Sequence, residues 1–176
     1  MLISLGAEEL IKWRAVAASG YAVDELAVMR QLMWNLNDES GGIGWGVPEA
    51  MGEIMARNSV LAEEYASLLI SYLREDGNFL EMEPLQRGVL GGLHRLSKCR
   101  PDLVRDLAAY VRPYLVSGDP ALRGLAALLK LSLSLDPACP ELSGMEKDEA
   151  HFAFFENGVL RDIRLRDIFQ ARDIPR

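Results

Sequence analysis

Apolar residues recur at helical spacing along most of this chain. Val23, Leu26, Met29, Met33 and Leu36 form one stripe, and Leu61, Tyr65, Leu68, Leu69, Tyr72 and Leu73 form a second. A third runs through Leu103, Val104, Leu107, Val111 and Leu115. Repetition at i, i+3, i+4 and i+7 places each set on one face of a helix, so three amphipathic helices are expected. Between them lie four segments that align with one another: WRAVAASGYAV from Trp13, WGVPEAMGEIM from Trp45, QRGVLGGLHRL from Gln86 and LRGLAALLKLS from Leu122. Their starts are 32, 41 and 36 residues apart, a degenerate period that suits a helix-turn-helix unit of a solenoid. The sixth column reads Ala18, Ala50, Gly91 and Ala127, always small, as close approach of neighbouring helices requires.

The punctuation agrees with the stripes. Asp24 and Ser59 are suited to cap helices, Asp119-Pro120 supplies a cap followed by proline, and Pro48, Pro84 and Pro101 fall at or near helix starts. Seven helices are expected before residue 135. Beyond Pro137 the pattern changes to PACPELSG, an acidic MEKDEA and then HFAFFENGVLRDIRL. Phe152 and Phe154 alternate, Asn157-Gly158 is a type I′ turn signal, and Val159 to Leu165 suits a return strand. A small β-hairpin and a short terminal helix are expected. An isolated hairpin is unstable, so it must pack on the last helix, cover the open end of the stack, or pair with another chain. End-capping is the simplest of these. Residues 1–136 then form the repeats and 137–176 a capping segment of the same domain.

Composition narrows the function classes. The 176 residues are 49% apolar and 26% charged, enough for one continuous core. No run approaches the roughly 20 apolar residues that span a bilayer, because Glu8, Glu9 and Lys12 interrupt the first segment and Arg123 and Lys130 the leucine-rich one. The amino terminus lacks a basic n-region, so a cytoplasmic location is expected. Cys99 and Cys139 lie 40 residues apart, as expected of two reduced thiols rather than a zinc or redox pair. A net charge of −7 argues against nucleic acid and anionic membrane as partners.

The aligned segments resemble the HEAT and HEAT-like repeats first noted in phycobilisome lyases. The features are Trp13-Arg14 with Ala17, Ala18 and Gly20; Trp45 with Ala50 and Gly52; and Arg87 or Arg123 with the small residues that follow them. LNDESGGIGWGVPEAMGEI, from Leu36 to Ile54, also resembles a segment of bacterial HEAT-repeat proteins with no assigned activity. The resemblance implies an all-α fold, a right-handed α-α superhelix of about seven helices, here followed by the hairpin. It implies architecture and leaves function open.

Two regions hold candidate chemistry. Trp34, Asn37, Asp38, Glu39 and Trp45 surround the glycines at 41, 42, 44 and 46, where backbone and carboxylates can approach a cation or polar ligand. The competing reading is a tight helix-helix turn, with both indoles filling the groove between repeats. The EF-hand spacing is absent, and so is the Gly-Lys-Ser/Thr of a phosphate loop. Glu49 and Glu53 share a helix face, but His94 and His151 supply no His-Glu or ExxH arrangement, which counts against a HEAT-type di-iron hydroxylase; no metal or cofactor is expected. His94, between Arg95 and Lys98, is expected to be partly exposed. No nucleophile elbow occurs and no Ser, Cys or Thr has an obvious His partner, so catalysis is not expected.

The second region is electrostatic. The third and fourth aligned helices carry Arg87, Arg95, Lys98, Arg123 and Lys130 and no Asp or Glu. If, as in HEAT-like stacks, the second helix of each pair lines the concave face, that half is basic while Glu49 and Glu53 keep the other acidic. A bipolar groove suits a protein partner of mixed charge. Ordinary solvated cations near helix ends are the alternative. The expectation is therefore a non-catalytic scaffold that binds a protein through its concave face, with the hairpin as a possible joint between copies. The alternatives are a small-molecule or tetrapyrrole carrier, lyase-like, using the tryptophan loop, and a nucleic-acid binder resembling the HEAT-like alkylpurine DNA glycosylases, which the acidic balance disfavours.

Overall fold

A computed structural model describes residues 25–37, 44–133, 139–156 and 159–170. The protein is mostly helical, with a two-stranded antiparallel hairpin near the carboxyl end. The helices are α1 (Glu25–Asn37), α2 (Val47–Arg57), α3 (Ser59–Ser71), α4 (Glu83–Ser97), α5 (Ala108–Val111), α6 (Pro120–Ser132), α7 (Pro140–Ser143) and α8 (Asp167–Gln170). The strands are β1 (His151–Glu156) and β2 (Val159–Arg164). Six helical segments precede residue 135 among the described residues; the expected helix at Trp13, with Ala18, Val23 and the Asp24 cap, lies outside them.

Start signals act where the chain places them. Pro48, Pro84 and Pro120 occupy first-turn positions, where a missing N–H costs nothing. The Asp119 carboxylate caps α6 by accepting from the Ala121 N–H at 2.8 Å. The cap of α3 is Asn58 rather than Ser59: its Oδ1 accepts from the N–H groups of Val60 and Leu61. Gly46 precedes α2 at φ 77°, in the left-handed region that favours glycine.

The helix expected over Leu103 to Leu115 is broken into a 3-10 stretch (Pro101–Leu107), the single turn α5 and a second 3-10 stretch (Arg112–Val116). Val104 departs from helical geometry at φ −124°, and Pro113 has no N–H to donate back to Ala109. The stripe survives the break: Val104, Leu107, Val111 and Leu115 are buried, and Leu103 is half-buried against the same core. Burial of one face, not a continuous ladder of hydrogen bonds, sets this segment's position.

Helix α4 lies between α2 and α6, forming one layer, while α3 and the 101–116 segment pack behind it and α1 lies against α2. One buried cluster runs from Met29 and Leu32 through Met51, Leu69, Leu90, Leu93 and Leu129 to Phe152, Phe154 and Ile168. The helix backbones meet most closely beside the aligned column, at Gly52, two residues past Ala50, and Gly92, one past Gly91. A Cβ on Gly52 would stand 2.5 Å from the Gly92 carbonyl oxygen, and one on Gly92 would stand 2.5 Å from that of Pro48. Gly91, in the column itself, has only ordinary contacts, its nearest neighbour at 3.7 Å. Ala50 and Ala127 are buried as the column requires, and Ala18 lies outside the described residues.

The hairpin pairs His151 with Arg164 through Glu156 with Val159, leaving the two residues Asn157-Gly158, themselves outside the described set, as its loop. Phe152 and Phe154 point inward and stack 5.6 Å apart. Strand β1 packs on α6 and touches α4, with the Phe152 ring against Gly124. Packing on the last long helix, one of the three placements open to the hairpin, is present in the fold.

Candidate functional site

The layer of α2, α4 and α6 carries most of the charged residues singled out from the sequence, and it changes their meaning. Each principal cation holds a carboxylate. Arg95 Nε donates to Glu53 at 2.6 Å, and Arg57 reaches the other oxygen of Glu53 at 2.9 Å. Arg87 pairs with Asp119 across the α4–α6 gap. Arg123 donates to Asp148 at 2.8 Å and to the Ser117 carbonyl at 2.7 Å. Lys98 pairs with Glu156 of the hairpin, which also holds Arg161 at 3.1 Å. Arg87, Arg95, Lys98 and Arg123 are therefore neutralised within pairs instead of standing as a separate basic face. The sequence hid this because the partners Asp119, Asp148 and Glu156 lie outside the aligned cationic helices. Lys130 also departs from the expectation: only 6% exposed, it is too buried to line a basic face.

These pairs lock elements together. Burial pushes the Glu156 carboxyl up, but Lys98, His94 and Arg161 together hold it below its usual range. The Ala150 N–H and the Arg123 guanidinium likewise hold Asp148 down against burial. Arg123 and Lys98 thereby tie α6 and α4 to the segment that carries the hairpin.

Glu49 behaves differently. It stands in the first turn of α2, and its carboxyl packs against Gly88 of α4: a Cβ there would stand 2.8 Å from Glu49 Cδ. The side chain as a whole is half-buried, but Oε2 is sealed from solvent without a hydrogen-bond partner. Burial pushes its pKa from 4.5 to about 7, and its own backbone N–H offsets only part of that. Glu49 thus faces glycine and hydrocarbon rather than serving as a charged acidic rim. The glycines at 88 and 91 on one helix were the available signal, but pairing them with Glu49 requires the α2–α4 register.

His94, expected at the surface, is buried with both ring nitrogens unpartnered and its ring edge-on to Phe154 at 6.4 Å. Burial first, then the charge of Lys98, lowers its pKa from 6.5 to about 4, and Glu156 opposes them. The docked hairpin covers this position, and sequence periodicity could not place that hairpin on α4.

The tryptophan loop is only partly described. Trp34 is 69% exposed, so its indole does not fill an inter-repeat groove as the tight-turn reading would have it, while Trp45 is half-buried. The backbone of Asn37 ends α1; its side chain, Asp38 and Glu39 lie outside the described residues. Among the described residues no cluster of three or more His, Cys, Asp or Glu is arranged to hold a metal. Cys99 and Cys139 are free thiols, the first exposed and the second buried. No described helix is long and apolar enough to cross a membrane.

Fold and surface together define a mostly helical protein whose α2–α4–α6 layer is crossed by ion pairs and carries a two-stranded hairpin packed on α6. No family model matches the chain, and no curated protein or solved structure does.

Proposed function

We propose that this protein is a non-catalytic scaffold of HEAT-like helix pairs, coiled as a right-handed superhelix, that holds a protein partner on the face formed by α2, α4 and α6. The observation that carries the reading is the row of ion pairs along that layer: Glu53 with Arg57 and Arg95, Arg87 with Asp119, and Arg123 with Asp148. The cations are 18–46% exposed and their carboxylates 7–26%, so each sign reaches the surface in part, in a geometry that its partner sets. Such a mosaic favours a partner of mixed charge through electrostatic complementarity, and guanidinium groups are well suited to interfaces. Neutralisation within each pair removes the excess of cations that phosphate backbones need.

The test is capture from the native cells with a mild tag, followed by mass spectrometry, for the wild type and for Arg87→Glu with Arg123→Glu. A partner that co-purifies with the wild type and is lost from the double variant supports the reading. Arg105→Glu, on the exposed side of the opposite layer, serves as the control and should retain the partner. Circular dichroism establishes that each variant folds, and the milder Arg87→Gln is the substitute if the double reversal does not. Equal capture by the wild type and the double variant removes the face from consideration.

A further inference from the structure

We infer that Glu49, lying over the bare glycine backbone of α4, is the seat for a basic side chain, lysine or arginine, presented by the bound protein partner. The inference deepens the scaffold reading and rests on it. Around the α2–α4–α6 layer Glu53, Asp119, Asp148 and Glu156 each hold a cation from α4, from the end of α4 or from α6. Glu49 holds none from the described residues, although Arg87 and Arg95 flank Gly88 and Gly91 on the helix it covers. Those arginines are committed to Asp119 and Glu53. The carboxyl is therefore a desolvated acid without a counter-charge, a state that costs free energy until a cation arrives.

The surroundings leave room for one. Gly88 seats the Glu49 carboxyl itself, and Gly91, one turn further along the same stripe of α4, is half-buried and bare of a side chain, so an incoming methylene chain can lie against helix backbone there. Beyond Gly91 the nearest side-chain atoms are Glu49 Cγ at 3.7 Å and Leu125 Cδ2 at 4.0 Å, an aliphatic wall suited to a lysine or arginine stem. From α2 the charged neighbours are Glu53 and Arg57, already paired with each other, and from α6 Arg123 is held by Asp148.

Binding of a cation and loss of the Glu49 proton are linked, because only the carboxylate attracts the charge. The titration of Glu49 from a midpoint near 7 makes that linkage visible near neutrality. The experiment uses the full chain labelled with 13C at glutamate Cδ, titrated by NMR with and without an oligolysine peptide as the probe. Added peptide should move the Glu49 midpoint down towards the ordinary carboxylate range. The peptide should bind about tenfold more tightly one pH unit above the midpoint than one unit below it. Glu49→Gln should abolish that pH dependence, whereas Glu63→Gln, at an exposed acid on the opposite layer, should leave it intact.

Gly88→Ala is the second variant, since its methyl group displaces the flexible carboxyl into water and should lower the midpoint without peptide. A Glu49 midpoint that the peptide leaves unmoved, or equal peptide affinity in wild type and Glu49→Gln, overturns the seat. Failure to capture any protein from cells overturns the scaffold reading and leaves the titration result standing, so the two fail separately.

Discussion

Glu49→Gln keeps the shape of the side chain and removes its proton equilibrium. In the folded protein burial holds this carboxyl at about 7 against 4.5 in an open chain. At ~1.4 kcal/mol for each pH unit, the ionised form is disfavoured by about 3 kcal/mol in the fold. The folded state binds this proton more tightly than the unfolded state. The stabilising share is therefore complete below pH 4.5 and is lost as pH rises through about 7. Wild type and Glu49→Gln should be nearly equal in stability at acid pH, and the glutamine variant should lead by about 3 kcal/mol above neutrality. Urea unfolding of both proteins across this range, followed by circular dichroism, measures the difference directly. Glutamine still carries polar atoms into the site, which shifts the whole curve but not its dependence on pH. A difference that stays constant with pH would refute the burial of the Glu49 carboxyl and the α2–α4 register that produces it.

The same register predicts opposite outcomes at two neighbouring small positions. Gly52→Ala drives a methyl group into the Gly92 backbone and should cost about 2–3 kcal/mol, whereas Gly91→Ala meets only ordinary contacts and should gain up to ~1 kcal/mol from helix propensity, both read by urea midpoints. His94 is held neutral at about 4 against 6.5 unfolded, so its share of stability is present above pH 6.5 and lost as pH falls through 4. His94→Leu should therefore flatten the acid limb of the stability profile by about 3 kcal/mol, and an unchanged acid limb would place the imidazole in water. Phe152→Ala empties the contact with Gly124 and should cost about 3–4 kcal/mol, with amide exchange in β1 and β2 rising more than in α3.

What could be read from sequence followed from how local the determining interaction is. The stripe Leu61, Tyr65, Leu68, Leu69, Tyr72 and Leu73 reports one face of α3 and the turn that ends it, and all but the half-buried Leu68 are buried. Asp119-Pro120 and Asn157-Gly158 carry their signals within two residues, and α6 and the hairpin register follow from them. The break at Val104 was less legible because a stripe is preserved when α-helix gives way to 3-10 turns. Relations between elements were the least legible. Which residue of the Gly91-Gly92 pair meets α2 depends on the rotation of α4 about its axis, and so does the burial of Glu49. His94 became a core residue only through a hairpin some 60 residues later in the chain, in the same way that Lys98 found Glu156. Charge read along a helix counts cations correctly and is blind to the carboxylates that meet them from elsewhere.

The most direct test of the scaffold reading is an amide hydrogen-exchange footprint of the chain with and without the protein captured on it. Protection gained along α4 and α6, centred on Arg87 to Arg95 and Ala121 to Lys130, is the expected result. Protection confined to α3 and residues 101–116, or no change anywhere along α2, α4 and α6, would contradict it.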